Sequence, residues 1–281
     1  MRAARQAGRM NEHTTHTTTE ITTADAGFTG RVVLVTGGTS GIGFATARLL
    51  LARGARVVIT GRTEERLRRA ADRLADVSDG GARLLTVRAD AADLSDTERL
   101  MDRIRESYGR LDGLFANAGV GVFERLESTT EADFDRLVDV NVKGVFFTVQ
   151  RALPLLEAAG PGASVVINAS WTLHRAMEVA PMYAATKAAV HNLARSLSAG
   201  LADRGIRVNS VSPGYIHTEM YDEIITEEAA REATRVAPPL QRVGSSEDVG
   251  EAVSFLLSER ASYITGQDLA VDGGLVMKVP G

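Results

Sequence analysis

The sequence predicts an α/β fold: a doubly wound (Rossmann), mainly parallel sheet with helices on both faces of a single domain. Three observations carry this. Short apolar runs rich in Val, Leu and Ile recur along the chain and read as strands buried on both faces. Segments of helical length separate them, the alternation expected of βαβ units. A glycine-rich turn at residues 36–43 follows the first apolar run directly. Right-handed crossovers then place a ligand crevice at the carboxyl ends of the strands.

Residues 1–27 hold seven threonines and two histidines with little apolar periodicity, and read as a disordered extension. The basic opening lacks the apolar centre of a secretory signal, so a loose extension or a start at Met10 is expected. His13 and His16 have the spacing of metal ligands, but no other ligand cluster supports a site, and no metal is expected. Residues 28–281 form the predicted catalytic domain. Strands are expected at 32–35, 56–60, 83–88, 111–116, 164–168, 207–212 and 269–271. Helices are expected from the glycine-rich turn to 53, then at 64–77, 95–107, 131–159, 183–204 and 247–257. Ser95 and Glu98 are placed as a capping box for the third helix. Pro154, late in the long helix, predicts a bent or separate final turn. A lid spans about residues 215–240, with one helix over 220–236.

Composition narrows the function classes. The chain has 281 residues, 44% hydrophobic and only 5% aromatic, so its core must be mostly aliphatic. It contains no cysteine, which removes disulfides, thiol nucleophiles and thiolate metal sites. A cytoplasmic setting is the expectation. The net charge of −4 comes from interspersed acids and bases, so no nucleic-acid surface is expected. No apolar run reaches about 18 residues, so no membrane span is expected either.

The turn Gly37-Gly38-Thr39-Ser40-Gly41-Ile42-Gly43 joins a buried strand to a helix N-terminus. Glycines let the backbone approach a pyrophosphate, and the helix end favours negative charge. The second strand ends near the expected ribose, where an acid would bind the 2′-hydroxyl of NAD. Gly61 and Arg62 stand there instead, a small residue and a guanidinium that suit a 2′-phosphate. NADP is therefore favoured over NAD. Asp90 either meets the adenine or caps a helix. Asn117, Ala118 and Gly119 end the fourth strand, where Asn117 fixes the strand ends and the small residues permit close cofactor contact.

Tyr183 and Lys187 lie four apart in a helical pattern, on one helix face. An ammonium beside a phenol favours the phenolate and brings the pair into range for proton transfer. Such a pair also arises by chance, and acid/base chemistry needs a full constellation.

These motifs, with Asn141, Ser170, Pro213-Gly214 and residues 263–274, stand in the order and spacing of a family. From about Thr29 to Gly274 the chain resembles the short-chain dehydrogenases/reductases. The resemblance implies hydride transfer between NADP(H) or NAD(H) and a ketone or secondary alcohol. It assigns Tyr183 as general acid/base, and Lys187 to the tyrosine pKa and the nicotinamide ribose. Ser170 is assigned to the substrate oxygen, Asn141 to a water linking Lys187 to solvent, and Thr218 to the nicotinamide carboxamide. Pro213, Gly214 and Ile216 complete the expected cofactor contacts.

Trp171, the sole tryptophan, either walls the substrate pocket or packs outward at a loop or subunit contact. Leu173, His174, Met177 and Met182 lie on the same loop and are placed with the pocket. His174 reads as a pocket polar group or a surface residue. Tyr215 and His217 sit at the cofactor end of the lid, and Met220 and Tyr221 face substrate. Relatives that reduce 3-oxoacyl chains on acidic acyl carrier proteins offer basic residues at the entrance. Here Arg204 has no basic partner beside Glu157, and the lid carries Asp222, Glu223, Glu227 and Glu228. A free small-molecule ketone or alcohol is favoured, with an acyl carrier substrate second. A non-catalytic nucleotide-sensing or scaffold protein is the reading from another class. The resemblance implies a homotetramer, or alternatively a dimer.

Overall fold

A computed structural model describes residues 27–278. The expected extension up to residue 26, with His13, His16 and the start at Met10, lies outside the described residues, as do 279–281. The elements alternate from end to end: β1 (Val32–Val35), α1 (Gly41–Ala52), β2 (Arg56–Gly61), α2 (Glu64–Leu74), β3 (Leu84–Arg88), α3 (Leu94–Tyr108), β4 (Gly113–Ala116), α4 (Glu131–Val138), α5 (Val145–Ala158), β5 (Ser164–Asn168), α6 (Pro181–Leu201), β6 (Arg207–Pro213), α7 (Glu219–Ile224), α8 (Glu228–Val236), α9 (Ser246–Leu257) and β7 (Asp268–Val271).

The strands form one sheet in the order β3-β2-β1-β4-β5-β6-β7, every pairing parallel. After β3 the winding reverses and β4 pairs with β1. The loops leaving β1 and β4 therefore part in opposite directions and open a crevice between them. The strand period of two sorts the core. Val33, Val35, Ile59 and Phe115 pack with Leu50, Leu51, Val253 and Leu256 of α1 and α9. Val32, Leu34, Leu114 and Ile167 pack with Ile104, Leu156 and Val190 of α3, α5 and α6. Both faces are covered, so each central strand reads as an unbroken apolar run. None of the described helices is long and apolar enough to cross a membrane.

Three local expectations are corrected. The cap of α3 is Asp93, not Ser95: its extended backbone aims the carboxylate at the Ser95 and Asp96 N–H groups. The long helix expected over 131–159 runs unbroken from Glu131 to Ala158, as α4, a π-helical stretch at Asp139–Gly144 and α5; its end differs from expectation. Pro154 sits inside α5, which runs on to Ala158 with no separate last turn. Gln150, whose carbonyl loses a partner there, is exposed, so solvent can take the place. The single lid helix is two, α7 and α8. Ile224-Ile225-Thr226 is a β-branched run that disfavours helix, and the Tyr221 hydroxyl meets Thr234 Oγ1 at 2.6 Å, tying α7 to α8.

Candidate active site

The carboxyl ends of β1, β4 and β5 are stitched into one rim. The Asn117 side chain donates to the Thr36 carbonyl at 2.9 Å, and its amide oxygen accepts from Asn168 Nδ2 at 2.9 Å. Thr36 Oγ1 accepts the Asn117 and Ala118 N–H groups at 2.9 and 3.0 Å. Asn117 thus fixes strand ends, as its position predicted. Thr36, the first residue of the glycine-rich turn, and Asn168 share this work; Asn168 escaped sequence reading, because one polar residue at a strand end carries no motif.

A cavity of about 1160 Å³ opens over this rim. One half is backbone-lined. Gly37, Thr39, Ser40, Gly41, Ile42 and Gly43 form its floor. Gly37 and Gly41 have φ of 65° and 53°, values that favour glycine. Gly43 is required by space instead: a Cβ would overlap the Gly37 carbonyl oxygen and stand 2.6 Å from Asn117 Nδ2. The bare loop at the start of α1, open to a cavity of this size, fits a dinucleotide pyrophosphate. Asp90 lines the same half. Its carboxylate accepts the Ala92 N–H at 3.0 Å in a local turn, so the capping alternative falls to Asp93. Arg62 lines the cavity, is exposed, and pairs with no carboxylate among the described residues. Gly61 has a packing reason beyond any phosphate: a Cβ there would come 2.6 Å from Thr39 Cγ2.

The other half holds the reactive groups. Ser170 leaves β5, and its Oγ accepts from Thr172 N–H at 3.2 Å and Thr172 Oγ1 at 3.0 Å. Both lone pairs are taken, so the Ser170 proton is free to point outward. Tyr183 and Lys187 face the same wall one turn apart on α6. Burial pushes the Tyr183 phenol up from its ordinary range, and a hydrogen bond with Ser170 offsets part of this. Burial brings the Lys187 ammonium down to about 8. Its Nζ donates to the Asn168 carbonyl at 2.8 Å and lies 5.7 Å from the Tyr183 ring centre. Burial disfavours the charged form of both groups, and the Ser170 hydrogen bond favours the phenolate.

Asn141 sits in the π-helical stretch, which turns its side chain inward. Nδ2 donates to the Val120 carbonyl at 2.9 Å and to Thr186 Oγ1 at 3.2 Å, while Oδ1 accepts the Val120 N–H at 2.9 Å. A Cβ on Gly119 would lie 3.3 Å from Asn141 Oδ1 and 3.5 Å from Lys187 Nζ. The glycine thus keeps open a gap bounded by both polar atoms.

Trp171, Met177, Tyr215 and Met220 line the cavity as well. Trp171 and Tyr215 have ring centres 5.0 Å apart. Tyr221 lines it too, but its hydroxyl is committed to Thr234. Pro213, Gly214, Ile216 and Thr218 line the cavity too, and Thr218 also caps α7. Three placements are corrected. Leu173, His174 and Met182 do not line the cavity; of the two readings of His174, the surface one fits its exposure. The His174 ring turns to Asp268 at 2.9 Å. Phe123, 5.3 Å from the Tyr183 ring centre, and Val179, Ile224 and Ile225 are lining residues that sequence reading missed. They are ordinary apolar residues in loops or at a helix end, with no pattern to mark them.

Residues 37–276 match a family model described as enoyl-(acyl carrier protein) reductase. A solved structure from Brucella melitensis, a short-chain dehydrogenase/reductase of the glucose/ribitol dehydrogenase type, superposes with a TM-score of 0.82 at 35% identity, covering 88% of this chain and 97% of that one. The chain belongs to the short-chain dehydrogenase/reductase family. This short-chain dehydrogenase/reductase is 41% identical to a cis-4-hydroxycyclohexanecarboxylate dehydrogenase of Sinomonas cyclohexanicum, over 88% of the chain and 97% of the relative. The Pseudomonas aeruginosa RhlG/NADP complex matches with a TM-score of 0.82 at 34% identity, over 88% of this chain and 97% of that one. Like its family, the chain is an oxidoreductase that moves a hydride between a nicotinamide cofactor and a ketone or secondary alcohol.

Proposed function

We propose that the chain is an NADP(H)-dependent reductase of a free, largely apolar ketone, or the dehydrogenase of the matching alcohol, with Tyr183 as general acid/base. The observation that carries this is the convergence of Tyr183, Ser170 and Lys187 on one wall of a cavity whose far half is a bare glycine cradle. Bound there, the nicotinamide supplies the hydride in reduction and takes it in oxidation. In reduction Tyr183 gives its proton to the substrate oxygen as negative charge develops on it. Ser170, with both lone pairs filled by Thr172, donates its own proton to the same oxygen. Lys187 would hold the nicotinamide ribose. With an ammonium near 8, it is poised to return a proton towards Tyr183 through water in the gap before Gly119.

NADP is favoured by Arg62, an unpaired cation on the rim, and by the RhlG/NADP relative. An acyl carrier substrate is the weaker reading. Arg204 is held by Glu157 at 2.9 Å, and Arg125 by Glu178 at 3.1 Å, so neither is free for an acidic carrier. A homotetramer is favoured by exposed large apolar side chains, among them Phe134, Phe146, Tyr263, Leu269 and Met277.

The test is cofactor oxidation against ketones of graded bulk, with NADPH and NADH compared. Turnover with NADPH is expected. Tyr183→Phe should cut kcat by about 10²–10⁴-fold and leave NADPH affinity unchanged. Tight cofactor binding without turnover on any ketone or alcohol would make the chain a nucleotide sensor instead.

A further inference from the structure

Behind the substrate wall, outside the cavity, a buried carboxylate gathers side chains from four elements. Asp268, at the start of β7, has a side chain only 9% exposed. Its Oδ1 accepts from Ser210 Oγ at 2.6 Å and Ser212 Oγ at 3.0 Å, both on β6. Its Oδ2 accepts from Ser212 at 2.9 Å and stands 2.9 Å from His174 Nε2. His191 of α6 completes the cluster, its Nδ1 3.5 Å from Ser210 Oγ and 3.8 Å from Asp268 Oδ1. Ser210 spends its proton on Asp268, so His191 is the donor to Ser210. Ser210, Ser212 and Asp268 belong to the sheet and are fixed by it. His174 alone comes from the loop between β5 and α6.

That loop carries Ser170 and Trp171 into the cavity. Its far end is pinned where the Ala180 N–H donates to the Glu124 carbonyl at 2.8 Å. In the middle, His174 reaches Asp268, and the neighbouring Arg175 side chain donates to the Lys278 carbonyl. The short helical turn at Trp171–Leu173 closes on the same residue, the His174 N–H donating to the Trp171 carbonyl at 3.0 Å. A displacement of His174 is therefore passed by backbone to Trp171.

We infer that His174 is a positioning residue: by its bond to Asp268 it seats the Ser170–Trp171 turn against the substrate, without touching substrate itself. The charge-assisted bond has a fixed, buried acceptor, so it holds the loop to the sheet more firmly than a surface pair would. This rests on the proposed active site only for its effect on turnover. The anchor itself is read separately, because Trp171 is the single tryptophan of the chain and its emission reports the loop directly.

The experiment compares His174→Ala and His174→Gln, the second keeping an N–H donor for Asp268, in the full-length protein. Expected for His174→Ala are a red-shifted Trp171 emission and greater acrylamide quenching without cofactor. The ketone KM should rise by about tenfold, with kcat changed far less, and NADPH affinity and thermal midpoint close to wild type. His174→Gln should restore most of the KM and the emission. Wild-type emission and quenching in His174→Ala would overturn the anchor, as would a Gln variant no better than Ala. No turnover in the wild type, with the emission shift intact, would fault the proposed reaction and leave the anchor standing.

Discussion

Lys187 shows at a single position how burial sets both stability and chemistry. Its ammonium lies at about 8 in the fold, against about 10.5 for a free lysine. Between these values the unfolded chain holds a proton that the folded chain has released, so stability rises with pH there. Tyr183 is shifted upwards, so above its ordinary range the folded state keeps a proton that the unfolded state loses, and stability falls. The clean window is therefore about pH 8 to 10. Across it the wild type should gain about 2 kcal/mol relative to Lys187→Met, by urea unfolding. Equal pH dependence in both proteins would mean that Lys187 is not desolvated. Arg62 is the second residue whose surroundings make a prediction. It lines the cavity with no ion pair among the described residues. Arg62→Ala should weaken NADPH binding by about tenfold, the loss of one charge-assisted contact, with NADH affinity nearly unchanged by calorimetry. Equal loss for both cofactors would remove the argument for NADP.

Elements are placed by their ends. The turn from β1 into α1 needs glycine at residue 43 because the loop doubles back against Gly37. Gly43→Ala should cost about 1–3 kcal/mol of stability, as overpacking does, and weaken cofactor binding. Wild-type melting and affinity would show that the loop can move aside. At the other edge, the buried Arg207 guanidinium donates to the Leu256, Ser258 and Ile264 carbonyls at 2.9, 3.0 and 3.3 Å. It satisfies the end of α9 and fastens it to β6. Most elements were legible in the sequence because both of their faces are apolar or their caps are polar. The lid was not: its helical pattern runs across Ile225, and only the Tyr221–Thr234 contact and the β-branched run show that it breaks. The capping box at Ser95 failed because Asp93, two residues earlier, offered a stronger acceptor at the true N-cap.

For the whole molecule, the sheet order decides where function sits. The reversal between β3 and β4 brings residues 36–43 and 117–119 together, with Ser170, Tyr183 and Lys187 across from them. Outside the cleft, a shallow apolar groove runs between α5 and α6 beside Phe146, Phe147 and Leu193. If this face joins subunits, Phe146→Glu should place a charge in the contact and lower the mass seen by light scattering, with the far-UV spectrum intact. An unchanged mass would assign assembly to the face around Leu269 instead.

The sequence by itself determined the fold class and the glycine cradle, because both are written in short-range pattern: buried runs, and glycines at a helix start. It set Tyr183 and Lys187 one turn apart, while Ser170 came only with the family resemblance. It also placed Trp171 on the substrate side as one of two readings. Only the tertiary structure decided which way His174 points, that Ser170 and Tyr183 are hydrogen-bonded, and that Phe123 and Val179 line the cavity. Those are contacts between distant segments, and distance along the chain carries no record of them.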